Sequence, residues 1–217
     1  MNSATLLRSG ATVALIANAA IGVLFPDHNS LTAPLQPLYV PLNLASVIAV
    51  TLLLFGLHGW YNRHAAALGR RGAVGTVLIV LTLLLVGMFI GLYLPIVMPL
   101  AAQEAPVFIA PGPALLVPVL LLGVLAEIAG PLLLGWDLLR RSIGSRWAAW
   151  TLLVSSPVTL VWIVSVLLDA DGAASPLTIV TNILSAALLF IAFAGFGNEA
   201  TSERVERPTA VAVRSAA

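Results

Sequence analysis

Cysteine and lysine are both absent from this chain. Without cysteine there is no disulfide, no thiolate nucleophile and no Cys-based metal or haem attachment. Without lysine there is no Schiff-base chemistry and no P-loop lysine. Charge of either sign is also scarce: 9% of the 217 residues are charged, against roughly 25% in a soluble domain. Hydrophobic residues make up 60% of the chain and the mean hydropathy is +1.05. So few charges cannot cover that much apolar surface in water, whereas lipid tolerates it. All ten basic residues are arginine, which with the abundance of Ala, Gly, Leu and Val points to a GC-rich bacterial genome.

What is present is six apolar runs, at about 5–25, 42–61, 73–94, 114–136, 147–168 and 176–197. Each is long enough for a transmembrane helix, which needs roughly 20 residues, and too long for a barrel strand, with no period-2 alternation. The expected fold is all-α, an integral membrane bundle of six helices filling 1–197, followed by a charged, aromatic-free tail at 198–217 expected to be disordered. The first run ends at Pro26-Asp27-His28-Asn29 and the third before Pro95 and Pro99, prolines that interrupt further helix. Pro176 suits the first turn of the sixth.

Arginine gives the orientation. With loops labelled alternately, one side holds all ten: Arg8; Arg63, Arg70 and Arg71; Arg140, Arg141 and Arg146; Arg204, Arg207 and Arg214. The other side holds none, and carries Asp27, Glu104, Asp169 and Asp171. Cytoplasmic loops carry the Lys/Arg excess, so both termini are expected inside, in a multi-pass protein of the inner (plasma) membrane. Trp60, Trp136, Trp147 and Trp150 fall at the inner ends of spans and Tyr39 and Tyr93 near the outer ends, as headgroup anchors do. Residues 1–19, with Arg8 and Ala17-Asn18-Ala19, also read as a secretory signal with a small-residue cleavage site. The apolar character continues past that site to Phe25, which a signal does not need.

Glu127 is the outlier. It lies near the middle of the fourth span, where an ionisable residue is expensive and is by default a functional hypothesis. No arginine lies in a span core to pair with it; Asn18, Thr159 and Asn182 of other spans are the candidate hydrogen-bond partners, with His58 nearer the inner end. Pro131, four residues on, lacks the N–H that the carbonyl of Glu127 would use, so Gly130-Pro131 predicts a kink beside the acid. A broken helix with a carboxyl beside freed carbonyls is how some transporters build ion sites. The competing expectation is a neutral Glu hydrogen-bonded across a helix interface.

Gly87 and Gly91, and Gly123, Ala126 and Gly130, form small-residue faces for close helix approach, while Thr178, Asn182 and Ser185 share one face of span six. A faint internal similarity links Gly59-Trp60 and Arg70-Arg71-Gly72-Ala73 with Gly135-Trp136 and Ser145-Arg146-Trp147-Ala148; interfacial Trp and loop Arg explain it without duplication. Asp169-Ala170-Asp171-Gly172 is too short for a calcium loop and reads as a turn. Arg140 to Arg146 would attract anionic lipid headgroups.

Leu24-Phe25-Pro26-Asp27, Tyr39-Val40-Pro41-Leu42, Gly56-Leu57-His58-Gly59-Trp60-Tyr61-Asn62-Arg63 and Ser145-Arg146-Trp147-Ala148-Ala149-Trp150 together resemble a type of small, about six-span bacterial membrane protein that carries no assigned activity. The resemblance covers spans one to five and implies topology only. Three function classes stay open: a non-catalytic membrane, accessory or lipid-interacting component; a small proton- or ion-linked transporter using Glu127 at the span-four kink; and, last, an intramembrane enzyme, since no nucleophile and base share a depth. No cofactor, nucleotide, zinc or nucleic-acid motif is visible, and the partners expected are membrane lipids, with a homo-oligomer or membrane complex left open.

Overall fold

The computed structural model describes residues 2–25, 36–93, 95, 116–169 and 174–214, with 116–117 and 199–214 as backbone only. Among the described residues the chain is helical throughout, without strands. The helices are α1 (Ser3–Leu24), α2 (Tyr39–His64), α3 (Arg70–Thr82), α4 (Leu116–Arg141), α5 (Arg146–Leu168) and α6 (Pro176–Arg214). Six segments are long and apolar enough to cross a membrane, which makes this a polytopic membrane protein. The end that carries Arg63, Arg70, Arg71, Arg140, Arg141 and Arg146 is called the arginine end below, and the opposite one the far end.

Helix starts are set by local chemistry. Asn2 caps α1 by accepting the Thr5 N–H at 2.8 Å, satisfying a donor that has no intrahelical partner. At α6, the Ser175 hydroxyl oxygen accepts from the Thr178 N–H, and Pro176 fills the first helical position. Gly69 precedes α3, and its N–H is taken by Asp137 of α4 at 2.8 Å. Arg141 donates to the other Asp137 oxygen at 3.2 Å and to the carbonyl of Ala67. The α2–α3 loop is thereby tied to α4 through a buried Asp137.

Helices adjacent in sequence pack side by side and α6 returns to α1, so the six form a ring. In lipid no hydrophobic force draws helices together, and small residues that admit a neighbouring backbone do so instead. A Cβ on Gly10 of α1 would lie 2.8 Å from the Ala49 carbonyl of α2. One on Gly75 of α3 would lie 2.5 Å from the Leu134 nitrogen of α4, and one on Gly135 of α4 2.8 Å from the Ala149 carbonyl of α5. The α2–α3 seam is different, because α2 meets chiefly the far half of the third span. The two stretches with similar sequences are therefore packed differently: Gly59 of α2 faces Ser3 of α1, whereas Gly135 faces α5.

The third span departs from the expected α-helix. After Thr82 the turns widen into a π-helix over Leu83–Ile90, a rare form. There Gly87 and Gly91 seat against Val50 and Val47 of α2 while Val86 reaches Gly123 of α4, so the widened turns contact both neighbours. The uniformly aliphatic run Leu83-Leu84-Leu85-Val86 carries no signal of the change. The sixth helix continues to Arg214, past the apolar run; the tail expected to be disordered has helical backbone that far, and its Ala, Glu and Arg favour helix.

The aromatic residues divide in two. Trp136, Trp147 and Trp150 are about half exposed on the outward faces of α4 and α5, as headgroup anchors would be. Trp60 and Tyr39, expected in the same role, are buried. Tyr39 meets Phe25 edge-on at 5.2 Å. Trp60 stacks between His64 (4.7 Å) and Phe196 of α6 (4.6 Å), linking α2 to α6 at the arginine end. Its indole N–H is buried and has no hydrogen-bond partner among the described residues.

Replacing Gly75 with Ala is expected to destabilise the protein by about 1–3 kcal/mol, since backbone must move to admit the methyl group. Gly91→Ala, whose Cβ would meet only the Val47 side chain at 3.2 Å, should stay within ~0.5 kcal/mol of wild type. Unfolding midpoints of the two variants in mixed micelles check the contrast.

Candidate functional site

Each helix has an outward apolar stripe, and the residues opposite it define the axis of the ring. On α4 the exposed stripe is Leu121, Leu122, Leu125, Leu132 and Trp136. At 3.6 residues per turn Glu127 projects from the other side. Its flanks confirm the direction: Gly130 meets α3 and Gly123 the π-helical part of the third span, and Ile128 and Gly135 meet α5. By the same geometry Asn18 lies opposite Val13, Ile16 and Val23 on α1, and Ser46 opposite Leu44, Ile48 and Phe55 on α2. Thr159 lies opposite Val154, Val161 and Val164 on α5, and Asn182 opposite Val180, Leu184 and Ile191 on α6. Five helices thus aim a polar side chain at one axis.

Register places them at similar depth. The Ser156 hydroxyl donates to the Ile128 carbonyl at 2.8 Å, which levels Glu127 with Pro157. Thr159 then lies ~3 Å nearer the far end, at 1.5 Å per residue. From the stacked pair Trp60 and Phe196, fourteen residues back along each helix, ~21 Å towards the far end, are Ser46 and Asn182. Asn18 donates to the Ser46 oxygen at 3.1 Å, which places it in the same layer. Towards the arginine end the inward side chains are Leu53, Leu57, Trp60, Leu134, Leu138, Leu152, Phe193 and Phe196, all fully or almost fully buried. The interior thus holds a polar layer, sealed by aliphatic and aromatic packing in its arginine half and followed towards the far end, on the same faces of α2 and α1, by the buried pair Tyr39 and Phe25.

The partners foreseen for Glu127 are engaged otherwise. Asn18 gives its amide protons to the Ala14 carbonyl and to Ser46. His58 sits on the outward side of α2, paired with Asn62 at 3.0 Å. Among the described residues, no hydrogen bond or ion pair joins the Glu127 carboxyl, the Thr159 hydroxyl or the Asn182 amide to a neighbour. The same axis gathers these residues without coupling them.

Pro131 does not interrupt α4, which runs on as helix to Arg141. Its missing N–H still leaves the Glu127 carbonyl without an i+4 donor, and Ser156 supplies a proton to the carbonyl next along, that of Ile128. The sequence reading passed over Pro157, which lies inside α5 at the level of Glu127. Two packed helices thus each lose a backbone hydrogen bond in one narrow zone. Ser46, Ser155 and Ser156 were also passed over; the signal was present in Leu152, Ser155 and Thr159, spaced three and four apart on one face of α5.

At the far end, Asp169 accepts from the Thr178 hydroxyl at 2.6 Å and from the Ser175 N–H at 3.0 Å, closing the turn between α5 and α6. The Thr178 bond first, and the Ser175 bond second, hold its carboxyl below the ordinary value of 3.8. Of the acids foreseen as a sparse outer surface, Asp27, Glu104 and Asp171 lie outside the described residues.

Comparison with protein families finds no match, and no match was found among curated proteins or solved structures either.

Because the folded pKa of Asp169 is depressed, its stabilising effect is present above the ordinary carboxylate pKa and lost as pH falls through the folded value. The wild type should therefore melt above Asp169→Asn at pH 7, and the gap should close as pH drops below ~4. Melting curves of both proteins from pH 7 to 3 provide the check.

Proposed function

We propose that this protein is a small proton- or ion-linked carrier of the plasma membrane, with its arginine end and both termini in the cytoplasm. One observation carries the reading: among the described residues the Glu127 carboxyl faces the axis without a hydrogen-bond or ion-pair partner, within a polar layer, whereas the other acid of α4, Asp137, is tied to Gly69 and Arg141. An acid kept merely for structure would be expected to hold a partner across a helix interface. Intramembrane carboxyls that face a bundle interior mark ion and proton paths. The orientation rests on the segregation of arginine, and it puts the apolar seal on the cytoplasmic side of the polar layer. In this reading Glu127 is the coupling group. The prolines in α4 and α5 supply the local give for movement, since each leaves a carbonyl without its i+4 donor, that of Glu127 in α4 and that of Leu153, about a turn nearer the arginine end, in α5.

A second reading, a non-catalytic accessory or lipid-interacting component, is favoured by a different observation. Trp136, Trp147 and Trp150 are half exposed at the arginine end, in the stretch that also carries Arg140 and Arg146, a combination of ring and cation suited to anionic headgroups or a partner subunit. Flux separates the two. In proteoliposomes loaded with a pH dye, an imposed sodium, potassium or proton gradient should drive ion movement above protein-free vesicles, and Glu127→Gln should slow it at least tenfold. Flux unchanged by Glu127→Gln, or none under any of these gradients, would remove the carrier and leave the accessory reading.

A further inference from the structure

The polar layer is chemically one-sided. A hydroxyl has one proton to give and lone pairs to accept with. Ser155 spends its proton on the Leu152 carbonyl at 2.7 Å, and Ser185 on the Asn182 carbonyl at 3.0 Å. Asn18 spends both amide protons, on Ala14 and Ser46, and keeps only its carbonyl oxygen. The Glu127 carboxylate is acceptor-only, and Pro131 adds the main-chain oxygen of the same residue. Thr159, Asn182 and Ser46, the last of which accepts from Asn18, retain protons not given to a described neighbour. None of the axis-facing residues in the layer is Arg or His. An anion entering here would meet oxygen lone pairs and a like charge, whereas a cation would meet both ligands and a counter-charge.

We propose that the axial layer is a monovalent-cation site, with Glu127 as its sole counter-charge and oxygens of Asn18, Ser155, Thr159 and Asn182 around it. The charge count selects the valence. Among the described residues no three His, Cys, Asp or Glu side chains come together, so a divalent ion would find one carboxylate where calcium or magnesium sites use several hard, charged oxygens. Hydroxyl, amide and main-chain oxygens with a single carboxylate suit an alkali ion, and suit ammonium equally by hydrogen bonding. The proposal rests on the carrier reading for its purpose, but not for its chemistry.

Binding can be measured without transport. Purified full-length protein in nanodiscs is melted at constant ionic strength in chloride salts of sodium, potassium, ammonium or N-methylglucamine, and in sodium sulfate and phosphate. A small monovalent cation should raise the melting temperature saturably over N-methylglucamine, with no dependence on the anion; the sodium, potassium and ammonium arms identify which. Glu127→Gln should raise the half-saturating concentration at least tenfold and Thr159→Val several-fold, while Asp169→Asn, outside the layer, should leave it unchanged. If Glu127→Gln does not fold, Thr159→Val and Asn182→Leu decide. No difference among the cations, an effect set by the anion, or a response to pH alone would overturn the assignment, as would full retention in the folded layer variants. Saturable binding without flux would keep the site and remove the carrier, whereas Glu127-dependent flux without cation saturation would remove the cation assignment alone.

Discussion

Backbone-to-backbone approach at glycine is the constraint on which this bundle depends. In lipid every main-chain polar group must be satisfied within the helix, and apolar side chains gain nothing by leaving one apolar medium for another. Attraction must come from close packing. Gly10, Gly75, Gly130 and Gly135 provide it where a methyl group would strike a neighbouring main-chain atom. Such short distances leave each helix a narrow sector facing the axis, in places a single side chain wide. What occupies that sector decides the character of the interior. In the arginine half it is filled by Trp60, Phe193, Phe196 and large aliphatics; in the layer beyond it is lined by Asn, Ser, Thr and Glu127, which carry the polarity, before Tyr39 and Phe25 follow at the far end.

That division gives the two halves different mechanical properties. The arginine half has a dense apolar seal reinforced by the stack of Trp60 on Phe196, yet the indole N–H has no partner among the described residues, and a buried donor without an acceptor costs about 1–3 kcal/mol. The far half has hydrogen bonds that stay within helices or between nearest neighbours, and in-helix prolines at Pro131 and Pro157. The α2–α3 seam, weakest of the six, runs beside the π-helical turns of the third span. Backbone irregularity is thus gathered at the depth of Glu127 and beyond, and regular helix with large side chains elsewhere.

Much of this was legible in the residues. Six apolar runs separated by charged or proline-rich segments give the helices almost to their ends, because length and hydropathy are the only requirements lipid imposes. The small-residue faces at Gly87 and Gly91, and at Gly123 to Gly130, meet α2 and α3. Glu127 stood out because any acid in such a run does. Three things were hidden. The π-helix depends on fitting α3 between two neighbours, which a uniform run of Leu and Val does not encode. Trp60 and Trp136 both follow a glycine at the same end of a span, and only packing buries one and exposes the other. The hydrogen bonds of Asn18 and Ser156 went to Ser46 and Ile128 and not to Glu127, since register between helices is a tertiary property.

Absence of cysteine makes the split interior directly accessible to labelling, since any introduced thiol is the only one. Single cysteines at 159 and 182 in the polar layer, and at 53 and 193 in the seal, would be exposed in intact membranes to a small membrane-impermeant methanethiosulfonate added from the outside. The proposed carrier, with its far end outside, predicts that positions 159 and 182 react and that 53 and 193 do not. Equal labelling of all four, or labelling of 53 and 193 alone, would contradict it.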